Sequence, residues 1–186
     1  MSIYVTSDLH FNHKNILQMC RTQFETIEEH NNYIIQQYNS VVKKDDLVYI
    51  LGDIGFTPYN KLTPLIKQLN GRKILIIGNH DQGKDNEYLA MGFIEVIRHP
   101  VYYNSNIILS HFPVREGYDN PWIYNLHGHL HNNELTLKNY INVNIELNDY
   151  KPLDLKALAE EIDAKTPKSR YQSFGQEWFY EYYKNK

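Results

Sequence analysis

Five short polar segments of this 186-residue chain carry side chains able to hold a metal ion: Asp8-Leu9-His10, Gly52-Asp53, Gly78-Asn79-His80-Asp81, Ser110-His111 and Gly128-His129-Leu130-His131. In an extended segment, residues two apart point the same way, so Asp8 and His10 can reach one cation, as can His129 and His131. Imidazole nitrogen, carboxylate and the Asn79 carbonyl form a mixed N/O donor set suited to Mn²⁺, Fe, Zn²⁺ or Ni²⁺. Thiolates are missing from it, which argues against a structural zinc site. Hydrolysis at a dinuclear centre is the chemistry such a set would perform. Each piece alone is weak, because Gly-Asp is a common turn and a lone histidine is more often structural than a ligand. Five pieces in series, each after a β-rich run, are far more specific.

The runs that must position these segments can be read in the same way. Ile3 to Ser7 is β-rich and delivers Asp8. Leu47 to Leu51 and Lys73 to Ile77 are short continuous apolar runs, as expected for buried strands, and end at Gly52-Asp53 and Gly78-Asn79. Between them, Thr26 with Glu29 has capping-box spacing and opens a helix over about 26–41, and Pro58 to Leu69 has helical periodicity. Phe93 to Ile97, Val101 to Tyr103 and Asn106 to Leu109 read as consecutive strands, the tight ones antiparallel. The last of them feeds Ser110-His111. Ile123 to Leu126 leads into His127-Gly128-His129, and Tyr140 to Leu147 alternates as a strand. A helix follows at about 154–165, and the aromatic tail Tyr171 to Tyr183 reads as helical. In open α/β folds, ligands bind at the carboxyl ends of strands, so the five segments can converge on one edge.

Composition narrows the function classes. Hydrophobic residues make up 42% and charged residues 22%, which excludes disorder and fibrous repeats. The formal charge is −3 and no long run of like charge occurs, so a general electrostatic grip on nucleic acid or an anionic membrane is not indicated. Cys20, the one cysteine, cannot form an internal disulfide and reads as a buried apolar thiol in a reducing compartment. With no signal segment and no membrane-length apolar stretch, a cytoplasmic location is expected. The length suits one domain over residues 1–186 with a helical tail from about 152 to 186. That leaves a catalytic core with little room for a cap.

The ordered set Asp8-x-His10, Gly52-Asp53, Gly78-Asn79-His80-Asp81, His111 and Gly128-His129-x-His131 resembles the calcineurin-like metallophosphoesterase superfamily over about residues 3–147. The longer matches Ser7-Asp8-Leu9-His10-Phe11-x-His13, Asn70-Gly71-Arg72-Lys73 and Leu126-His127-Gly128-His129 look like a compact bacterial and phage branch of it. The resemblance implies an α/β fold, a four-layer αββα sandwich with two central mixed sheets. It implies that Asp8, His10 and His131 hold one metal ion, that Asn79, His111 and His129 hold a second, and that Asp53 bridges them. Mn²⁺ is favoured. His80 would sit over the phosphate and assist the leaving oxygen, while a hydroxide formed between the ions attacks phosphorus in line. Two readings stand for Asp81: orienting His80 through its second N–H, or serving a helix N-terminus.

Other residues flank this set. His13 either faces the incoming phosphate or is an exposed polar residue. Arg21 resembles the arginine of the branch's Arg-Pro-Phe segment, which gives it a phosphate-contacting role, although Thr22-Gln23 here precede Phe24. His127 shares parity with His129 and His131 and reads as a support for them; His30 and His99 read as surface or structural. Phe56, Tyr59, Tyr118 and Trp122 either stack on a nucleobase or simply pack. Trp178, Phe179, Tyr180, Tyr182 and Tyr183 either cover a face of the fold or form a homodimer contact. The function expected is hydrolysis of small phosphoesters, leaning to diesters and including nucleotides or cyclic nucleotides. The competing class is a nucleotide-sensing or protein-interaction module without catalysis, which degraded ligands would betray. A DNA exonuclease would need basic surface that the sequence lacks.

Overall fold

The structure is a computed structural model that describes residues 1–133 and 135–167. In chain order its elements are β1 (Ile3–Thr6), α1 (Ile16–Met19), α2 (Ile27–Val41), β2 (Leu47–Ile50), α3 (Tyr59–Ile66), β3 (Arg72–Ile76) and α4 (Asp85–Met91). They continue with β4 (Phe93–Ile97), β5 (Val101–Tyr102), β6 (Ile107–Leu109), α5 (Glu116–Asp119), β7 (Tyr124–His127), β8 (Tyr140–Asn142), β9 (Leu153–Asp154) and α6 (Leu155–Lys165).

The strands form two mixed sheets. The larger has the order β4-β3-β2-β1-β9, with β1 to β4 parallel and β9 antiparallel to β1. The smaller has the order β5-β6-β7-β8, with only β5 antiparallel. Side-chain alternation on the larger sheet explains the layers. Val48, Ile50, Leu75 and Phe93 face a core shared with Ile34, Tyr38, Leu62, Ile66 and Met91 of α2, α3 and α4. Val5, Leu51 and Ile76 face the other way and pack on Ile107, Leu109, Leu126 and Val143 of the smaller sheet's side, with Leu155, Ala159 and Ile162 of α6. Each fully buried aliphatic side chain in that layer contributes about 1.5–3 kcal/mol. Among the described residues, the single turn α5 packs beside β7. This is the α/β arrangement of two central mixed sheets with helices that the motifs imply.

Several expectations hold locally. Thr26 caps α2 by accepting from the Glu29 N–H at 3.1 Å. The hairpin β5–β6 is antiparallel, whereas β4 joins the larger sheet in parallel instead of continuing into that hairpin. One reading is corrected. The stretch Tyr140 to Leu147 is not one strand: β8 ends at Asn142, and Asn144 caps a 3₁₀ turn over Ile145–Leu147 by accepting from Glu146 N–H. The short strand β9 has no apolar run to announce it. The Asn70 to Lys73 motif proves structural, since Lys73 Nζ is buried and donates to the carbonyls of Leu69 (2.9 Å) and Gly71 (3.0 Å) at the end of α3. Helix α6 lies where a helix is expected, and the aromatic tail lies outside the described residues.

Candidate active site

Five parallel strands, β1, β2 and β3 of one sheet and β6 and β7 of the other, end at the five ligand-bearing segments. The two sheets meet there: Ser7 forms an isolated parallel bridge with Asn144. Asp8 N–H donates to Gly52 O and His10 N–H to Asp53 O, both at 3.0 Å, so the β1 and β2 loops are laced together. The loops are not extended as the spacing argument assumes. Asp8, His10, Asn12, Asp53, His129 and His131 all have left-handed backbone, with φ between 50° and 66°. Asp8 and His10 still reach one cluster, whereas His129 and His131, expected to reach one cation, turn to two different ones. Such strain costs about 1–3 kcal/mol per residue and persists only where the surroundings over-determine it, as at functional sites.

Glycine makes the close approach feasible at two places. Gly52, with φ +82°, would bring a Cβ to 2.5 Å from Gly78 N and 2.7 Å from His111 Nδ1. A Cβ on Gly128 would stand 2.2 Å from Asp8 Oδ2.

Two clusters are built from the ligands read in the sequence. Ligand atoms of Asp8, His10 and His131 all lie within 4.8 Å of one another, and so do those of Asp53, His111 and His129. In the first, His10 Nε2 is 3.7 Å from Asp8 Oδ1, and both atoms are buried without a hydrogen-bond partner. An unpaired buried carboxylate oxygen facing an unpaired ring nitrogen is costly alone, and a cation between them would satisfy both. Burial raises the Asp8 pKa, but the adjacent His10 ring and the His111 charge outweigh it and hold the carboxyl at about 2. In the second cluster, His111 Nδ1–H donates to Leu51 O at 2.8 Å, which orients the ring and turns Nε2 towards the site. That Nε2 lies 2.9 Å from Asn79 Oδ1 and 3.5 Å from Asp53 Oδ2. Asp53 Oδ2 also lies 3.7 Å from His10 Nε2, so one carboxylate oxygen faces both clusters. The donor set therefore fits divalent cations.

A residue that the sequence reading missed orients the first cluster. Glu146 Oε1 is 3.0 Å from His131 Nδ1, and its Oε2 accepts from Arg21 Nε at 2.7 Å. Burial opposes protonation of His131, yet hydrogen bonding to Cys20 and Glu146 and the Asp8 charge push its pKa up to about 10. Cys20 Sγ, 3.6 Å away, is half-buried as a thiol beside this ring rather than lost in an apolar core.

Arg21 is the clear correction. It has 0% exposure, and its guanidinium donates to Leu9 O (3.0 Å), Asp8 O and Glu146, with His30 Nε2 at 2.8 Å. Instead of contacting phosphate, it clamps the Asp8 loop from behind. His30 is thereby structural, and burial with the Arg21 charge pushes its pKa down to about 3. Asp81 serves neither role read from the sequence: its carboxylate accepts from the N–H groups of Asp53 (2.7 Å), Gly78 (2.9 Å) and Ile54 (3.1 Å). It fastens the β3 loop to the β2 loop and so places Asp53. Burial raises its pKa to about 6.

His80 donates its backbone N–H to Asp53 Oδ1 at 2.9 Å, and its ring Nε2 stands 3.9 Å from Asp53 Oδ2, with the side chain 32% exposed. His13 is half-buried, with Nδ1 3.0 Å from His10 Nδ1 and its ring 5.8 Å from that of His80. Burial, followed by the charges around it, pushes its pKa down to about 4. It faces the site. Phe56 and Tyr59 line a cavity beside His80, whereas Tyr118 lines a different groove with Val114 and Leu137. His127 is buried with Nδ1 2.9 Å from Gly128 O, and His99 is exposed.

Comparison with known proteins shows the family to which this fold belongs. The family model for calcineurin-like phosphoesterases matches residues 1–179, and the chain belongs to that family. It is therefore placed among divalent-metal-dependent hydrolases of phosphate esters. An uncharacterized protein of Methanocaldococcus jannaschii is 35% identical over 173 residues, covering 87% of this chain and 91% of that one. The gene 66 protein of Mycobacterium phage L5 is 35% identical over 130 residues, 59% of this chain and 62% of its own. Among solved structures, a protein of unknown function from Aquifex aeolicus superposes with a TM-score of 0.66 at 31% identity, covering 86% of this chain and 98% of that one. No described helix is long and apolar enough to cross a membrane.

Proposed function

We propose that the protein is a dinuclear phosphoesterase that prefers diesters. Asp8, His10 and His131 would hold one cation and Asn79, His111 and His129 the other, with Asp53 shared between the two clusters. The observation that carries this reading is Asp53 Oδ2, which lies 3.7 Å from His10 Nε2 in one cluster and 3.5 Å from His111 Nε2 in the other. When bound, two divalent cations lower the pKa of a water and neutralise charge on the phosphoryl oxygens.

The protein's own groups do the rest. Asp81 holds the Asp53 backbone, and Asp53 in turn holds the His80 backbone N–H, which fixes the His80 ring over the site. As a water oxygen gives up a proton to solvent and bonds to phosphorus, and the bond to the ester oxygen breaks, His80 Nε2 gives its proton to the departing oxygen. The diester preference is drawn from the open surroundings of His80, whose side chain is 32% exposed beside a cavity, so that both ester groups of a diester find room.

Purified protein loaded with Mn²⁺ should hydrolyse bis(p-nitrophenyl) phosphate with higher kcat/KM than p-nitrophenyl phosphate. His80→Ala should lower kcat by about 10²–10⁴-fold while still binding Mn²⁺. Equal background from wild type, His80→Ala and Asp53→Asn would reject the reading.

A further inference from the structure

Beside His80 opens a cavity of about 490 Å³ between the β2–α3 loop and the start of α4. Small-molecule sites span about 300–1,000 Å³, so it can hold a group of nucleoside size. Its character is uniform. Phe56, Pro58, Tyr59, Leu62 and Met91 supply apolar and aromatic wall, and no lysine or arginine among the described residues lines it. Two of its polar side chains are already engaged: Glu87 Oε2 accepts from Lys84 N–H at 2.7 Å, and the Tyr88 hydroxyl accepts from Gly83 N–H at 2.8 Å. Phe56 and Tyr59 remain 54% and 41% exposed, an unusual state for aromatic rings that adjoin a reacting centre. Phe56 meets the His80 ring edge-on at 5.1 Å and the His13 ring at 4.7 Å. The cavity is thus continuous with the proton donor.

We propose that this cavity receives the leaving alcohol, and that its occupant is an uncharged planar aromatic group such as a nucleobase, stacked on Phe56 and Tyr59. This rests on the role given to His80 above. The side of the substrate that takes a proton from His80 must lie next to His80, and the space next to His80 is this cavity. The acidic Glu87 and the lack of cationic side chains disfavour a second phosphate there, so a nucleoside fits where a nucleoside polyphosphate does not. Stacking of a base on an aromatic side chain is worth about tenfold or more in affinity.

The test compares two methyl phosphodiesters, one whose other ester is the 5′-oxygen of adenosine and one with the base-free sugar, so that the leaving alcohols match in acidity. Release of the 5′-alcohol by the Mn²⁺-loaded protein should favour adenosine by about tenfold in kcat/KM. Phe56→Ala and, separately, Tyr59→Ala should bring that ratio towards one; the ratio cancels any general effect on turnover. A wild-type ratio near one, or a ratio unchanged in both variants, overturns the proposal. Adenosine alone, titrated by NMR against the aromatic signals, separates the two levels. Adenosine binding that is lost in Phe56→Ala, without hydrolysis of either ester, would keep the subsite and reject the chemistry. Hydrolysis of both esters with no adenosine binding would do the reverse.

Discussion

Glu146→Gln removes one charge from a buried line that connects the first metal cluster to the fold. Glu146 is 3.0 Å from His131 Nδ1 and 2.7 Å from Arg21 Nε, and Arg21 has no exposed surface. Removing one partner of a buried ion pair costs about 3–5 kcal/mol, because the other charge is stranded. Glutamine keeps an acceptor oxygen for one of the two contacts, which points to the lower end, about 3 kcal/mol. The second effect falls on metal affinity. A carboxylate that orients a ligating histidine is worth about 10–100-fold in affinity, so Mn²⁺ should bind the variant weaker by that factor at one site. Urea unfolding of the metal-free protein measures the first effect and titration calorimetry with Mn²⁺ the second. A variant within about 1 kcal/mol of wild type and with unchanged Mn²⁺ affinity would refute the claim that Glu146 links Arg21 to the metal site.

Three further perturbations test neighbouring parts of the structure. Asp81→Asn turns an amide N–H towards backbone donors at Asp53, Ile54 and Gly78, which should cost about 1–3 kcal/mol in thermal unfolding and weaken Mn²⁺ binding. Wild-type binding would argue that Asp81 does not place Asp53. Gly128→Ala sets a Cβ 2.2 Å from Asp8 Oδ2, so a folded variant, checked by circular dichroism, should bind Mn²⁺ at least tenfold more weakly, on the order of a lost outer contact. His30, with its pKa near 3 in the fold against 6.5 unfolded, binds a proton only in the unfolded chain between those values. Its contribution therefore falls as the pH drops below 6.5, by about 1.4 kcal/mol per pH unit, and His30→Gln should flatten the stability profile between pH 6 and 4 by about that slope. Parallel profiles would show that His30 is not buried as a neutral ring.

Much of the site could be read in the sequence because the ligands follow apolar runs directly. Ile74 to Ile77 has to be a buried strand, and Gly78-Asn79-His80 can only come after it. The same logic places Asp53 and His111. What escaped reading depends on contacts between segments far apart in the chain. Arg21 looks like a phosphate contact until its partners at Asp8, Leu9 and Glu146 are known. Glu146 looks like an outward residue of an alternating strand, but Asn144 turns the chain and carries Glu146 to His131. Alternation correctly paired Asp8 with His10, although through left-handed residues and not an extended strand, whereas His129 and His131, expected to share a cation, part to different clusters. The Asp8–His10 pairing was therefore legible while its strain was not, and the parting of His129 from His131 followed from the family resemblance and not from spacing. Two-residue β9, held by pairing with Tyr4 and Val5, has no periodicity to detect.

The central claim is that Asp53 joins two cations. Mn²⁺ titration followed by electron paramagnetic resonance tests it most directly. Wild type should take up two equivalents and show spin-exchange coupling between them, and Asp53→Asn should lose the coupling and bind the second equivalent at least tenfold more weakly, on the order seen when a ligand's support is removed. A single Mn²⁺ in wild type, or two uncoupled ions unaffected by Asp53→Asn, would contradict the account.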